Sequence, residues 1–206
     1  MKEPEYTDTG IGTPDRLERL WAPYRMNYIA KGAQTEEGPK DGDPFLRVPK
    51  MSDREGLIVA RAKTCYVVLN LYPYNPGHLL VVPFRQVAEL EDLTQEESQE
   101  IFALAQACIR VIKHVSAPHA FNVGFNLGKP SGGSVGEHLH MHIVPRWTGD
   151  ANFMTIIDGV KVLPQKLRDT RELLAQGWLD LGIDLGIARV GADADYTGGK
   201  DSNAQH

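Results

Sequence analysis

The sequence predicts an α+β fold in which helices lie on one face of a mainly antiparallel sheet, and three observations carry that expectation. Two strand-like runs, CYVVLNL at 65–71 and HLLVVP at 78–83, flank a short turn containing Pro and Gly. Two more, HAFNVGFNLG at 119–128 and EHLHMHIVPRW at 137–147, flank a glycine-rich loop. A helical period follows each pair, so the order is strand, strand, helix, strand, strand, helix. Connections of hairpin length favour antiparallel neighbours, and the two helices must bury their apolar stripes on the sheet.

Taken in order, residues 1–18 are charged and rich in Gly and Pro, and are expected to be a flexible tail. A single domain is expected over 19–189, interrupted by a surface loop at about 31–45, KGAQTEEGPKDGDPF, which shows no apolar period. In the first pair of runs, β-branched and aromatic residues suit a pleated surface, and the intervening YPYNPG supplies turn residues. DLTQEESQE then opens a helix. Thr94 as N-cap with Glu97 three residues on spells a capping box, and the acidic residues suit the positive end of the helix dipole. Ile101, Leu104, Ala105, Cys108, Ile112 and Val115 keep helical spacing and form one apolar stripe. Farther on, Leu163, Leu167, Leu173 and Leu174 mark a C-terminal helix. The polar, Gly-rich stretch from 190 to 206 reads as a disordered tail.

The chain has 206 residues, enough for one domain with a sizeable core. Its formal net charge of -5 offers no basic field for a nucleic acid or an anionic membrane, so any phosphate site must be local. No run reaches the roughly 18 apolar residues of a membrane span, and the first residues are polar and acidic, so a cytoplasmic protein is expected. The two cysteines, Cys65 and Cys108, are too few for a disulfide framework and read as buried thiols.

The chemistry concentrates in GEHLHMHIVPRW, where His138, His140 and His142 alternate with Leu139 and Met141. On a strand such alternation puts the three imidazoles on one face, about 7 Å apart, and sends Leu139, Met141 and Ile143 into the core. A structural row of histidines, a zinc site completed by His78 or Glu137, and nucleophilic catalysis are the three readings of such a row. The preceding GKPSGGS argues for an anion rather than a metal. Its backbone N–H groups can close on phosphate oxygens, and Gly132 and Gly133 permit the close approach. No metal ligand is assigned.

With these residues in view, the chain resembles the histidine triad (HIT) family, whose signature His-x-His-x-His and two apolar residues is matched by His138-Leu139-His140-Met141-His142-Ile143-Val144. LNLYPYNPGHLLVVP is similar to the family's upstream hairpin and NLGKPSGGS to its phosphate loop, so the resemblance covers roughly residues 55–147. It implies a HIT-like fold with a five-stranded sheet, a central helix and a C-terminal helix. It also implies a nucleotidyl transfer in which His140 attacks an α-phosphate and becomes adenylylated. His138 and His142 would then orient it and neutralise charge, with His78 as support. Asn70 falls where the family binds ribose hydroxyls, and Asn126, Gly133 and Ser134 fall where it contacts phosphate oxygens. Trp147 is expected either to stack on a base or to fill an oligomer interface.

The continuation PRWTGDANFMTII, with TPDRLERLWAPYRMNYIA near the N-terminus, is similar to a bacterial branch of the family that phosphorolyses diadenosine tetraphosphate. Most hydrolases of the family carry Gln where this chain has Ser134. The shorter side chain leaves room beside a phosphohistidine, and inorganic phosphate is expected to use it and release ADP. The expected reaction is therefore diadenosine tetraphosphate plus phosphate giving ATP and ADP. The alternatives are a hydrolase of dinucleoside polyphosphates or nucleoside phosphoramidates and, from another class, a nucleotide-binding regulatory module. The expected partners are a diadenosine polyphosphate or other adenine nucleotide and inorganic phosphate, with no nucleic acid and no membrane. No tightly bound cofactor is expected, although Mg2+ would accompany the polyphosphate. A homodimer or homotetramer is implied by the family alone. Arg85, Lys129 and Arg146 are the nearest basic residues in sequence that could meet distal phosphates.

Overall fold

The computed structural model describes residues 42–128, 131, 135–150, 166–184 and 189–190. The expected tail at 1–18, the first part of the loop at 31–45, Gly133, Ser134, Leu163 and residues 191–206 lie outside them. A short helix α1 (Pro44–Arg47) precedes strands β1 (Ile58–Arg61), β2 (Cys65–Leu69) and β3 (Leu79–Pro83). Then come helix α2 (Gln95–Ser116), strands β4 (Ala120–Phe125) and β5 (Met141–Arg146), helix α3 (Leu167–Asp180) and the two-residue strand β6 (Arg189–Val190). Sheet order is β4-β5-β3-β2-β1-β6 with every pair antiparallel, so the architecture is α+β.

The expected five-stranded sheet is completed by β1, a four-residue run without a strong sequence signal, and β6 adds two residues at its edge. Pairing with β1 also places Val190, the first residue of the stretch expected to be a tail, in the fold.

Strands β2 and β3 are buried at every position, which explains why they read as continuous apolar runs. One face, with Val67, Leu69, Leu79, Val81, Met141 and Ile143, packs against Ile101, Leu104, Cys108 and Ile112 of α2 and Leu174 and Trp178 of α3. The opposite face, Ile58, Tyr66, Val68, Leu80 and Val82, is covered by Phe45, Val48 and Phe84. Fully burying a side chain as large as Trp178 is worth several kcal/mol, and cutting it to Ala would cost about 3–5 kcal/mol.

Helix α2 starts on the expected capping box, with both reciprocal bonds between Thr94 and Glu97 present. It ends at Ala117 in the left-handed region (φ 44°), a conformation that glycine adopts more cheaply. On α3 the stripe differs from the leucine spacing. Leu174 is buried and Leu167 packs on the core, but Leu173 is 39% exposed, and Thr170, Arg171, Gly177 and Trp178 face inward instead. Gly177 lets α3 approach α2, because a Cβ there would collide with the Val115 side chain. No helix among the described residues is long and apolar enough to cross a membrane.

Candidate active site

The histidines sit on the sheet face opposite α2, the side covered by Phe45. Alternation holds as expected, with Leu139, Met141 and Ile143 at 3%, 1% and 0% exposure. The strand itself, however, begins only at Met141. His138 and His140 precede it because the backbone there bonds elsewhere: the Leu139 N–H donates to the Val87 carbonyl at 2.6 Å. His142 is within β5, opposite Leu80 of β3 and Gly124 of β4.

His140 has one ring nitrogen committed. Its Nδ1 lies 2.8 Å from the His138 carbonyl oxygen, which can only accept, so Nδ1 carries the proton and Nε2 keeps its lone pair. Burial lowers the proton affinity of the ring, which favours the neutral form that can attack an electrophile. Phe45 packs on this imidazole with centroids 4.8 Å apart. On the other side lies His142, also 4.8 Å away.

A second tautomer follows from the loop between β2 and β3. The Tyr74 backbone N–H donates to His78 Nδ1 at 3.1 Å, and the Asn70 amide lies 3.3 Å from the same atom. Nδ1 of His78 is therefore an acceptor, its Nε2 carries the proton, and that N–H points at His142 Nδ1, 3.0 Å away. His142 is left with a protonated Nε2 directed outward, and the Asn126 side-chain amide 3.4 Å away accepts that proton with its oxygen turned toward the ring. Burial, then the charges of neighbouring histidines, depresses His78 to about 3 and His142 to about 4, so both rings are neutral at pH 7. Tyr74 stacks on His142 with the planes 7° apart. The face thus offers a lone pair on His140 beside an N–H donor on His142, with the two ring centroids 4.8 Å apart.

His138 is different. Its Nδ1 lies 2.6 Å from an Asp43 carboxylate oxygen and its Nε2 2.9 Å from the Pro83 carbonyl, and the residue is 1% exposed. With both nitrogens engaged inside the protein, its ring has no atom left for a substrate. Asn70 is also partly committed, since its Oδ1 accepts the Tyr72 N–H at 3.0 Å and shapes the turn.

A cleft of about 420 Å³ opens beside His142, lined by Tyr74, Asn75, Asn126 and Arg146 among others. At its far end Arg146 is held by Asp150 through two bonds of 2.6 and 2.9 Å, and Asn75 donates to the same carboxylate at 2.6 Å. Arg146 and Asn75 together hold the Asp150 carboxyl well below its usual range. Arg85, by contrast, is committed to Glu97 at 2.7 and 3.0 Å and to the Asp92 carbonyl, which ties it to the start of α2. Trp147 is half-buried in the turn closed by Asp150, and the rings that touch the histidines are those of Phe45 and Tyr74. Lys129, Gly133 and Ser134 lie outside the described residues. Among the described residues no three His, Cys, Asp or Glu groups converge as metal ligands.

Sequence reasoning missed Asp43 and Phe45, which fall at the end of a stretch expected to be a surface loop. Instead they form a capped turn packed on the histidines: Asp43 Oδ1 accepts the Phe45 N–H at 2.8 Å. The one available signal was Asp-Pro, an N-cap followed by proline at the first helical position.

A buried, neutral imidazole with a fixed tautomer, flanked by a second imidazole that donates, is an arrangement chemically able to attack an electrophilic phosphorus. The HIT domain model matches residues 52–149. An AP-4-A phosphorylase of Mycobacterium tuberculosis is 62% identical over 175 residues, covering 83% of this chain and 89% of that one. A bis(5'-adenosyl)-triphosphatase of Saccharomyces cerevisiae is 43% identical over 88 residues, 42% of each chain. Among solved structures, a histidine triad nucleotide-binding protein from Sulfolobus tokodaii superposes with a TM-score of 0.55 at 22% identity, covering 68% of this chain and 93% of that one. The chain belongs to the histidine triad family.

Proposed function

We propose that this protein is a diadenosine tetraphosphate phosphorylase, which converts the dinucleotide and inorganic phosphate to ATP and ADP. One observation carries the covalent step: His140 Nδ1 is tied to the His138 carbonyl, which leaves Nε2 as the nucleophilic nitrogen of that ring. In the first half-reaction Nε2 forms a bond to the α-phosphorus, the bond from phosphorus to the bridging oxygen breaks, and ATP leaves. The outward N–H of His142 stabilises the charge on the departing oxygen. In the second, a phosphate oxygen attacks the adenylyl phosphorus, the P–N bond breaks, ADP leaves, and His140 regains its lone pair.

The substrate assignment draws on the relative from Mycobacterium tuberculosis, 62% identical over most of both chains. In the proposed complex Asn126 and the Gly133–Ser134 segment contact phosphate oxygens, Asn70 contacts the ribose, and Mg2+ travels with the polyphosphate. No resident cofactor is included. The yeast triphosphatase relatives favour a second reading, in which water replaces phosphate and AMP is released.

The proposal also covers a cytoplasmic homo-oligomer. Both cysteines are buried free thiols, as a reducing compartment requires. β4 is an edge strand exposing Val123 (46%), with Leu127 (45%) just beyond it, a surface suited to a second copy.

The decisive experiment is chromatography of products from diadenosine tetraphosphate with labelled phosphate. Label in ADP is the expected result. Turnover to unlabelled AMP and ATP would replace the phosphorylase with the hydrolase. Tight binding with no turnover and no AMP-sized mass increase on quenched protein would leave a nucleotide-binding module.

A further inference from the structure

The side of the site away from the cleft holds a buried charge that the transfer chemistry above does not use. The Asp43 side chain is 8% exposed, and its Oδ2 lies 2.6 Å from His138 Nδ1. A neutral imidazole has a single N–H, but this one faces two acceptors, the carboxylate and the Pro83 carbonyl. The peptide between His138 and Leu139 is clamped at both ends: its N–H donates to Val87 at 2.6 Å and its carbonyl accepts from His140 Nδ1 at 2.8 Å. That peptide is planar, so turning it withdraws the partner that sets the His140 tautomer.

We propose that Asp43 is a positioning residue for the nucleophile: its carboxylate bolts the His138 ring in place, and through the His138 carbonyl it keeps the proton of His140 on Nδ1. The carboxylate is itself held by a well-anchored segment. Tyr66 donates its hydroxyl proton to the Phe45 carbonyl at 2.9 Å. Arg61 pairs with Asp53 at 2.7 Å and donates to the Pro49 and Met51 carbonyls, fixing residues 49–53 to β1. Asp43 stands 95 residues before its partner and outside the span 52–149 that matches the family model, so it is supplied by a part of the chain the triad motif does not include.

When His140 Nε2 bonds to phosphorus, the ring becomes cationic and its Nδ1–H a stronger donor. The His138 carbonyl receives that bond, with the Asp43 carboxylate one residue behind it as the balancing negative charge. This part of the inference rests on the transfer reaction proposed above. The tautomer part does not.

The test uses the full chain with three substitutions. Asp43→Asn keeps the helix cap and the shape while removing the charge, Asp43→Ser keeps the cap but cannot reach the ring, and Asp43→Glu restores the charge. Without substrate, long-range proton–nitrogen correlation spectra of the histidine rings read the His140 tautomer directly. A single Nδ1–H form in the parent, and a mixture of tautomers in Asp43→Ser, are expected. An unchanged His140 spectrum in both Asp43→Ser and Asp43→Asn would overturn the proposal. With diadenosine tetraphosphate, kcat is expected to drop about 10- to 100-fold in Asp43→Asn and Asp43→Ser, with KM within about twofold, and to recover in part in Asp43→Glu. Unchanged kcat in the folded Asn and Ser variants would also overturn it. If the parent chain forms no adenylylated protein, the transfer reading fails while the spectra still decide the role of Asp43.

Discussion

His138 and His142 are the same residue type, two positions either side of the same nucleophile, yet their surroundings differ in every respect. His138 is sealed: its ring nitrogens meet a carboxylate and a backbone carbonyl, both internal. His142 is half-buried and meets another imidazole on one side and the cleft on the other. The repeat in the sequence is symmetric, and the neighbours that give each ring its task come from distant segments. In the proposed reaction His138 acts through its main chain as a fixed support, and His142 acts through its outward N–H as a donor.

Substitutions can break that comparison or sharpen it. The reference point is His140→Asn, which should lower turnover by about 10⁴-fold or more in a chain that still folds, as a cooperative melting transition would show. Intact-mass analysis of quenched protein should then show no AMP adduct, and near-parental turnover would remove His140 as the nucleophile.

The two flanking histidines should then separate by kind of damage. His142→Ala is expected to reduce kcat by roughly 10²- to 10³-fold, with a smaller stability loss than His138→Ala because one internal bond, that from His78, is lost instead of two. His138→Ala should cost about 1–3 kcal/mol in urea unfolding, because Asp43 and the Pro83 carbonyl are left buried without their partner. Equal stability losses in the two variants would erase the distinction.

A pH series probes the cleft side alone. His78 and His142 hold depressed values of about 3 and 4, against about 6.5 in the unfolded chain. Between those limits the unfolded state binds protons that the folded state refuses. Their contribution to stability is therefore full above about pH 6.5 and is lost as pH falls toward 4. Thermal midpoints should decline across that window, and His142→Asn should flatten the decline; a midpoint insensitive to pH there would contradict neutral, buried imidazoles. The smallest effect belongs to Asn126→Ala. Losing one bond beside His142 should cut kcat/KM by roughly fivefold, read in the same turnover assay.

Much of the fold was legible because its signals are local. Thr94 and Glu97 spelled out their reciprocal cap, and the β-branched, apolar runs of β2 and β3 marked them as paired strands. β1 was silent, since four residues are too short for a period to stand out. The strand expected from residue 137 starts at 141 because the Leu139 N–H is taken by Val87, and a backbone bond of that kind leaves no mark in the sequence. The site divides in the same way. His78, His138, His140 and His142 belong to compact motifs, but Asp43 and Phe45 arrive from the end of a charged, Gly-rich stretch. Composition there described the loop as a whole and missed its last turn.

The placement of Asp43 has one more consequence, for anyone who trims this chain to the domain its motif advertises. A polypeptide begun at residue 52, even with everything after residue 149 retained, would carry every strand described, both long helices and the complete His-x-His-x-His spelling. It would lack the ring of Phe45 over His140 and the Asp43 carboxylate beside His138. Such a fragment would keep the family's signature and lose part of the enzyme's working surface, so here the edge of the recognisable domain and the edge of the functional unit are different residues.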